Sequence, residues 1–561
     1  DRIQGRIIRL TLPLHLEEIS SSRIRENIDQ NRDISNLLDP MVQEYIYHNG
    51  IYLREPQYKP IIRAGAVHFE LVEPELPGRI RAVINQVLAG RPEAKDLCAE
   101  LLRRKHRLMV IRNGNDNDRA EGFVSFGGLH SSGLLTELNS AALAERLRQI
   151  VSGSILLLSS LAVRANPGLR DAEQLLLTEV LDWALRQDCT FALFHALPPL
   201  PASAAVVGVL ERQGFFQPAA DYPLWTVDMR SPLTMIQNLE TTVKEPLASD
   251  ERVLATIRQA HQRFQTALTR LFPGQLVLSL SGGIIHHRLV AKIAQINGVP
   301  AQQVTPRSLG PYMCMPFGKL LRGKAVPNTV TKTLHTDKVF APDLKGFRIE
   351  AYPHYTPLPD QIRTIKSFML PLIMVDDLLH KGDRVRAIMP MLQAEEIEVK
   401  TVLLGLLSGR GRDYMVEAGL NVDSVYYVPN LRGWFVESSM YPFIGGDTVR
   451  RSCMKVPGLL PSVNLILPYG PPPLHQLYSR DSAFELSLTC LTNARDIMLT
   501  LEAEYRLLFG RNLTLSRLAE AIIRPLCPDQ GSCVEYDANL AASEYLNNEI
   551  EILLRTEQVI K

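Results

Sequence analysis

Asp376 and Asp377 stand side by side at the end of an apolar run, Leu372-Ile373-Met374-Val375. Leu378, Leu379 and a polar turn, His380-Lys381-Gly382-Asp383, follow them. Adjacent carboxylates accept hydrogen bonds from sugar hydroxyls, or hold Mg²⁺ through hard oxygen ligands. An apolar run of this length, ended by a turn signal, predicts a strand buried on both faces. The acids then fall at the carboxyl end of that strand, where open α/β sheets bind ligands. The turn opens a segment of helical character that runs to Glu396. Free backbone N–H groups at a helix start, together with the dipole, favour a phosphate there. A sugar phosphate suits this pairing of acids and helix start. A buried strand followed by a solvated charged turn accounts for the same residues.

The stretch resembles the phosphoribosyl diphosphate loop of type I phosphoribosyltransferases. The resemblance implies that Asp376 and Asp377 are the catalytic and Mg²⁺-holding residues, facing the ribose. It implies that residues 380–384 wrap the 5′-phosphate, with Lys381, Gly382 and Arg384 as phosphate ligands. The family usually has Thr or Ser around the Gly, whereas Asp383 here repels phosphate. Upstream, Gln275–Leu280 predicts a strand, Ser281-Gly282-Gly283 a tight turn and Ile284–Asn297 a helix. Two glycines let a backbone come close to a ligand, and by the same resemblance this loop holds pyrophosphate. Ser-Gly-Gly also opens the ATP loop of PP-loop ligases, but Ile285 and His286 stand where that motif has Asp-Ser. Residues 311–345 spread Lys319, Arg322, Lys324, Lys332 and Lys338 among Gly, Pro, Thr and Asn. That composition reads either as a loop closing over polyanionic phosphate, with Lys324 and Lys332 as ligands, or as a solvated basic loop. Trp434 is either a platform for a base or core.

Before this region, strand and helix patterns alternate from Val67 to Met229. Asn113–Asp118 reads as a hairpin turn, and Ser154–Val163 as a strongly apolar strand. Arg164–Ala172 reads as a loop and Glu173–Arg186 as a helix, with Ala204–Gln213 a further helix that Gly214 ends. This order resembles the GNAT acetyltransferase fold, with LLLSSLAVRANPGLRDAEQLLLTEVLDWALRQ at the pyrophosphate loop and VLERQGFF at the later helix. The resemblance implies acetyl-CoA as cofactor, with Val163, Gly168, Arg170 and Ala172 around its pyrophosphate. The family pattern is R/Q-x-x-G-x-G/A. In one register Arg170 and Ala172 take the glycine positions. In the other Arg170 leads, and Glu173 and Leu175 replace the glycines. Glu70, Glu121 and His130 are candidates for a general base by position only.

Near the start, ISSSRIRENI and ISNLLDPMVQEYIYHNGIYL resemble the carboxyl-terminal end of nicotinate-nucleotide adenylyltransferases. By that resemblance Ser21, Ser22 and Arg25 contact ATP phosphates. Read from the residues alone, the serines cap a helix beside a solvated Arg. The family's H-x-G-H segment has no counterpart here and would lie upstream of Asp1, so the chain is expected to be a piece of a longer protein.

With 61 Lys+Arg against 60 Asp+Glu, the chain carries no broad basic field, so no nucleic-acid partner is expected. Its 7 cysteines are scattered and form no C-x-x-C pair, which suggests neither a zinc site nor a disulfide framework and fits a cytoplasmic setting. No apolar run approaches the ~20 residues of a membrane span.

The expected organisation is α/β: a GNAT-like mixed sheet plus a parallel-sheet phosphoribosyltransferase-like domain, with a helical C-terminal extension. The expected limits are 1–58 nucleotidyltransferase-like, 59–232 GNAT-like, 233–272 a helical connector, 273–450 phosphoribosyltransferase-like and 451–561 helical. The expected function is a transferase of nucleotide metabolism that binds a small-molecule nucleotide or sugar phosphate at Asp376/Asp377. The alternatives are a GNAT-type N-acyltransferase and a non-catalytic nucleotide sensor or scaffold. Self-association into a homo-oligomer is compatible with all three.

Overall fold

The computed structural model describes residues 67–114, 119–165, 169–302, 308–321, 325–341, 343–352, 355–449, 459–470, 480–529 and 535–560, with 20–22, 24, 38 and 42 near the start. Between residues 67 and 229 the apolar periodicities become the elements they predict. These are β1 (Val67–Val72), α1 (Pro77–Val87), α2 (Glu93–Arg104), β2 (Arg107–Asn113), β3 (Ala120–Leu129) and α3 (Ala141–Ile150), then β4 (Ser154–Val163), α4 (Ala172–Arg186), β5 (Cys189–His195), α5 (Ala204–Arg212) and β6 (Leu224–Gln237). β1 to β4 pair antiparallel in sequence order, β4 and β5 pair parallel across the α4 crossover, and β5 and β6 pair antiparallel. This is the strand order that the sequence associates with the GNAT fold.

Next come α6 (Glu251–Leu271), β7 (Gln275–Ser281), α7 (Gly282–Asn297), β8 (Met313–Pro316), β9 (Thr336–Phe340), β10 (Phe347–Ala351), α8 (Leu358–Lys366) and β11 (Leu372–Leu379). They are followed by α9 (Asp383–Ala394), β12 (Val399–Ser408), α10 (Gly409–Glu417), β13 (Val422–Val428), β14 (Gly433–Val436) and β15 (Asp447–Val449). The chain closes with β16 (Leu460–Val463), α11 (Arg480–Phe509), β17 (Leu526–Pro528) and α12 (Ala542–Ile560).

β8, β11, β12 and β13 form the expected parallel sheet, in the order β13-β12-β11-β8. β7 and β14 do not join it. Both pair parallel with the second half of β6, one on each side of Leu233–Gln237. Residues 233–237 are therefore strand rather than helical connector, because their apolar run is buried between two neighbours. β9, β10, β15, β16 and β17 build a further sheet, so residues 311–345 and the C-terminal extension contain strands that the sequence reading lacked.

One apolar core joins these bodies: Leu176, Leu177 and Val180 of α4 pack with Leu276 and Leu278 of β7, Ile285 of α7, and Ile373 and Val375 of β11. α6 begins where the Asp250 side chain accepts the Arg252 and Val253 N–H groups at 2.9 and 3.1 Å, an N-cap. Its buried residues Val253, Ile257, Ala260, Phe264, Leu268 and Leu271 recur every three or four positions, one helical face. That face shares a second core with Leu491, Ala494, Ile497 and Met498 of α11.

Candidate functional site

β11 delivers Asp376 and Asp377 to the carboxyl edge of the parallel sheet, as expected. Gly382 then turns the chain into α9 at φ +81, where a Cβ would sit 2.5 Å from the Tyr414 ring. Asp376 is 3% exposed, and its Oδ1 accepts from Arg384 Nη1 at 2.7 Å and from the Asp377 N–H at 2.8 Å. Asp377 accepts the N–H groups of Lys319 and Leu320 at 2.5 and 2.7 Å. A Cβ on Gly318 would lie 2.5 Å from both carboxylates, so the backbone after β8 presses directly on them. Burial pushes Asp376 up to about 6, against the pull of Arg384 and helped by Asp377.

In this arrangement the two acids are occupied by donors of the chain itself. The positive charge facing the pair is the Arg384 guanidinium, and three of the four carboxylate oxygens accept donors from the chain itself. Mg²⁺ does not fit such a donor set, and among the described residues no group of His, Cys, Asp or Glu has the arrangement of a metal site. Arg384 is held by Asp376 rather than presented to a phosphate. Lys381 is exposed and Lys332 buried, and Lys324 lies outside the described residues. Gly282 is also used internally: a Cβ there would sit 2.5 Å from the Gln237 carbonyl oxygen. Ser281 caps α7, its Oγ accepting the Ile284 N–H at 3.4 Å, and Gly283 follows half-buried in the first turn. Trp434 is neither fully core nor in a loop: it lies on β14, 38% exposed, with its ring 4.9 Å from that of His380. Lys338 is sandwiched between Phe340 and Phe347 at 4.3 and 4.4 Å, and burial lowers its ammonium.

A second concentration of polar groups lies in the antiparallel half of the large sheet. Among the described residues β4 and β5 pair only from Ser154/Cys189 to Leu158/Phe194, while β4 continues to Val163 with β3 alone beside it. A register shift opposite Ser125/Phe126 marks a bulge at Ser159, and bulges re-aim a strand and end its pairing. The two parallel strands therefore part at Ser159. Its Oγ is buried without a hydrogen-bond partner among the described residues, while its carbonyl accepts the Leu197 N–H at 3.0 Å.

From the parted strand, Val163 leads half-buried toward the start of α4. Gly168 lies outside the described residues. Arg170 points to Glu251, with 3.0 and 3.1 Å contacts between largely exposed side chains. Ala172 is fully buried in the core, so only its backbone can serve the helix start. Of the candidate bases, Glu70 is ion-paired with Arg79 and Arg112 at 2.5 and 2.9 Å, Glu121 is buried and His130 is exposed. Ser21 and Ser22 are exposed in a helical turn, and Arg25 lies outside the described residues.

The sequence reading missed a cluster at the end of β5. His195 Nδ1 lies 2.9 Å from Glu137 Oε1, and Arg104 donates to both oxygens of Glu137 at 2.7–2.8 Å. Tyr222 stacks on the imidazole with ring centroids 5.7 Å apart. Burial tends to raise the Glu137 carboxyl, but His195 and Arg104 outweigh it and hold the group below its ordinary value. His195 is the first residue beyond the last β4–β5 pair, so this cluster borders the point where the strands part. The only signal in the sequence was a His ending a strand-like run. Its partners are 58 and 91 residues away, and no local pattern joins them.

No family model matches the chain, and no curated protein does. Solved structures similar to part of it include the catalytic domain of the Tetrahymena GCN5 histone acetyltransferase in complex with coenzyme A. It shows 17% identity over 28% of this chain and 80% of that one, with a TM-score of 0.19. Arabidopsis thaliana NAA60 in complex with acetyl-CoA shows 12% identity over 29% and 99%, TM-score 0.21. FeeM, an N-acyl amino acid synthase from uncultured soil microbes, shows 15% identity over 29% and 88%, TM-score 0.21. Among the described residues no helix is long and apolar enough to cross a membrane.

Proposed function

We propose that the chain is a GNAT-type N-acyltransferase whose acyl-CoA lies where β4 and β5 part. The observation that carries this reading is the parting itself: at Ser159 the pairing ends, and Leu161–Val163 keep a strand on one side only. A strand edge of this kind offers backbone donors and acceptors to an extended chain bearing amides, which describes the pantetheine arm of coenzyme A. The orphaned Ser159 Oγ adds an unused polar atom beside it. The start of α4 lies just beyond, where backbone N–H groups favour phosphate, and Arg170 supplies a cation within the same loop.

A bound acyl-CoA would supply a thioester; the acceptor amine attacks its carbonyl carbon, a C–N bond forms, the C–S bond breaks, and coenzyme A leaves as the thiol. In this reading His195 takes the proton of the attacking amine at Nε2. Glu137, itself clamped by Arg104, holds Nδ1 and fixes the ring, the base-and-orienter arrangement of general base catalysis.

Titration calorimetry with acetyl-CoA tests the reading. Saturable binding, weakened by Arg170→Glu, supports it. Absence of binding to the folded chain overturns it.

A second reading, a phosphoribosyl ligand at the β11–α9 turn, has one supporting observation. Both acids stand at the carboxyl edge of a parallel sheet, beside a helix start. Binding there requires Asp376 to exchange Arg384, and Asp377 to exchange the Lys319 and Leu320 N–H groups, for the ligand. Calorimetry with phosphoribosyl diphosphate decides the matter. Affinity lost in Asp376→Asn/Asp377→Asn keeps this reading, and no binding by the parent chain removes it.

A further inference from the structure

We infer that the cleft between α5, α6 and α11 binds a phosphorylated nucleoside. The cleft encloses about 460 Å³ and is lined by Arg212 of α5, by Gln262, Arg263, Thr266 and Arg270 of α6, and by Glu485, Thr492 and Asn493 of α11. On α6 and α11 the lining positions recur every three or four residues, so one face of each helix turns toward the cleft. A cavity of this size falls in the range of small-ligand sites.

The chemistry of the wall selects the ligand. Three guanidiniums line the cleft; Arg270 contacts Glu485 and Arg263 contacts Asp496, which leaves Arg212 in excess. Arg263 donates to Asp496 at 2.8 Å through Nη1, yet its Nε is buried with no acceptor among the described residues. Arg212 is half-buried and makes no ion pair among the described residues; Asp171 and Glu211 act on it only as charges at longer range. Guanidiniums in such a position favour phosphate oxygens, which take two donors at once.

A purely anionic ligand leaves one group unexplained. Asn493 is fully buried and donates through Nδ2 to the Ala260 carbonyl at 3.0 Å and to Tyr441 Oη at 2.9 Å. Those two bonds fix the amide, and its Oδ1 has no donor among the described residues. A buried carbonyl oxygen without a partner is costly, and a ligand N–H is the group it lacks. The cleft therefore brings together guanidiniums for an anion, the Asn493 amide for an N–H, and threonine hydroxyls suited to sugar hydroxyls. A nucleoside phosphate carries all three.

That ligand has two sources, a free nucleotide or the phosphoadenosine end of coenzyme A. Equilibrium binding is measured with AMP, adenosine, inorganic phosphate and coenzyme A, on the parent chain and on Arg212→Gln, Arg270→Ala and Arg170→Ala. The expected result is saturable AMP binding, about tenfold weaker in Arg212→Gln and in Arg270→Ala and little changed in Arg170→Ala, with adenosine and phosphate alone much weaker. If coenzyme A binds and AMP does not, a loss in Arg212→Gln and Arg270→Ala makes the cofactor's nucleotide the occupant. Arg270 is largely exposed, so its variant carries the test should Arg212→Gln fail to fold. Binding of neither ligand, or binding indifferent to both substitutions, overturns the inference. Coenzyme A affinity that falls only in Arg170→Ala leaves the acyltransferase reading standing and removes this one.

Discussion

Arg384 Nη1 lies 2.7 Å from Asp376 Oδ1, in a contact where the carboxylate is 3% and the guanidinium 21% exposed. Breaking such a pair from one side strands a buried charge, which costs about 3–5 kcal/mol, whereas replacing both partners by apolar groups costs far less. Arg384→Met alone is therefore expected to lower stability by about 3 kcal/mol. The double variant Asp376→Leu/Arg384→Met should recover most of that loss. Urea midpoints of the parent, both single variants and the double variant measure this. A double-variant loss equal to the sum of the two single losses would mean that the two groups do not depend on each other.

Gly318 makes the same point from the other side. A methyl group there would meet Asp376 Oδ1 and Asp377 Oδ1 at 2.5 Å each. Gly318→Ala must push the strap off the acids or the acids off their donors. The expected loss is about 1–3 kcal/mol, the range for overpacking a filled site. A melting temperature unchanged by this substitution would show that the strap does not rest on the carboxylates.

His261 is held between two carboxylates, Glu437 at Nδ1 and Glu240 3.0 Å from Nε2. Tyr441 donates to Glu437 at 2.8 Å, and Arg258 exerts its charge on Glu240. Burial alone would lower the imidazole, but the carboxylates outweigh it and lift His261 to about 10. A raised pKa contributes stability that is complete below the unfolded value, near 6.5, and is lost as pH rises through the folded one. The parent chain should therefore lose stability between about pH 7 and pH 10 more steeply than His261→Gln does. Imidazole nitrogen shifts give the direct reading: His261 should still be doubly protonated at pH 8, and a neutral ring there would contradict the assignment.

For the acyltransferase reading, His195→Gln should reduce turnover with any accepted amine by about 100-fold and leave the acetyl-CoA KM nearly unchanged. Arg170→Ala should do the reverse, weakening acetyl-CoA by several-fold. Since the Arg170–Glu251 contact is exposed, its loss should move stability by less than about 0.5 kcal/mol. Steady-state kinetics, with urea unfolding as control, separates the two effects.

The elements from β1 to α5 were legible because each carries its own signal: Ser154–Val163 is one apolar run, and Gly214 stops α5. The strand at Asp376–Asp377 was legible for the same reason. Partners were not. Nothing near β11 announces that Arg384 folds back onto Asp376, or that Gly318, 58 residues upstream of Asp376, sits against both acids. β7 reads as a neighbour of β11 because strand–helix alternation does not say which sheet a strand joins, and the buried Leu233–Gln237 run of β6 claims it instead. The Glu137–His195 cluster and the arginine cleft are assembled from distant helices and strands, so residue spacing is silent about them.

The most direct test of the central claim is amide hydrogen exchange with and without saturating acetyl-CoA. Added protection confined to residues 159–165 and to the first turn of α4, after Ala172, is the predicted result. Protection at the β11–α9 turn instead, or none in the β4–α4 segment, would contradict the placement of acyl-CoA where β4 and β5 part.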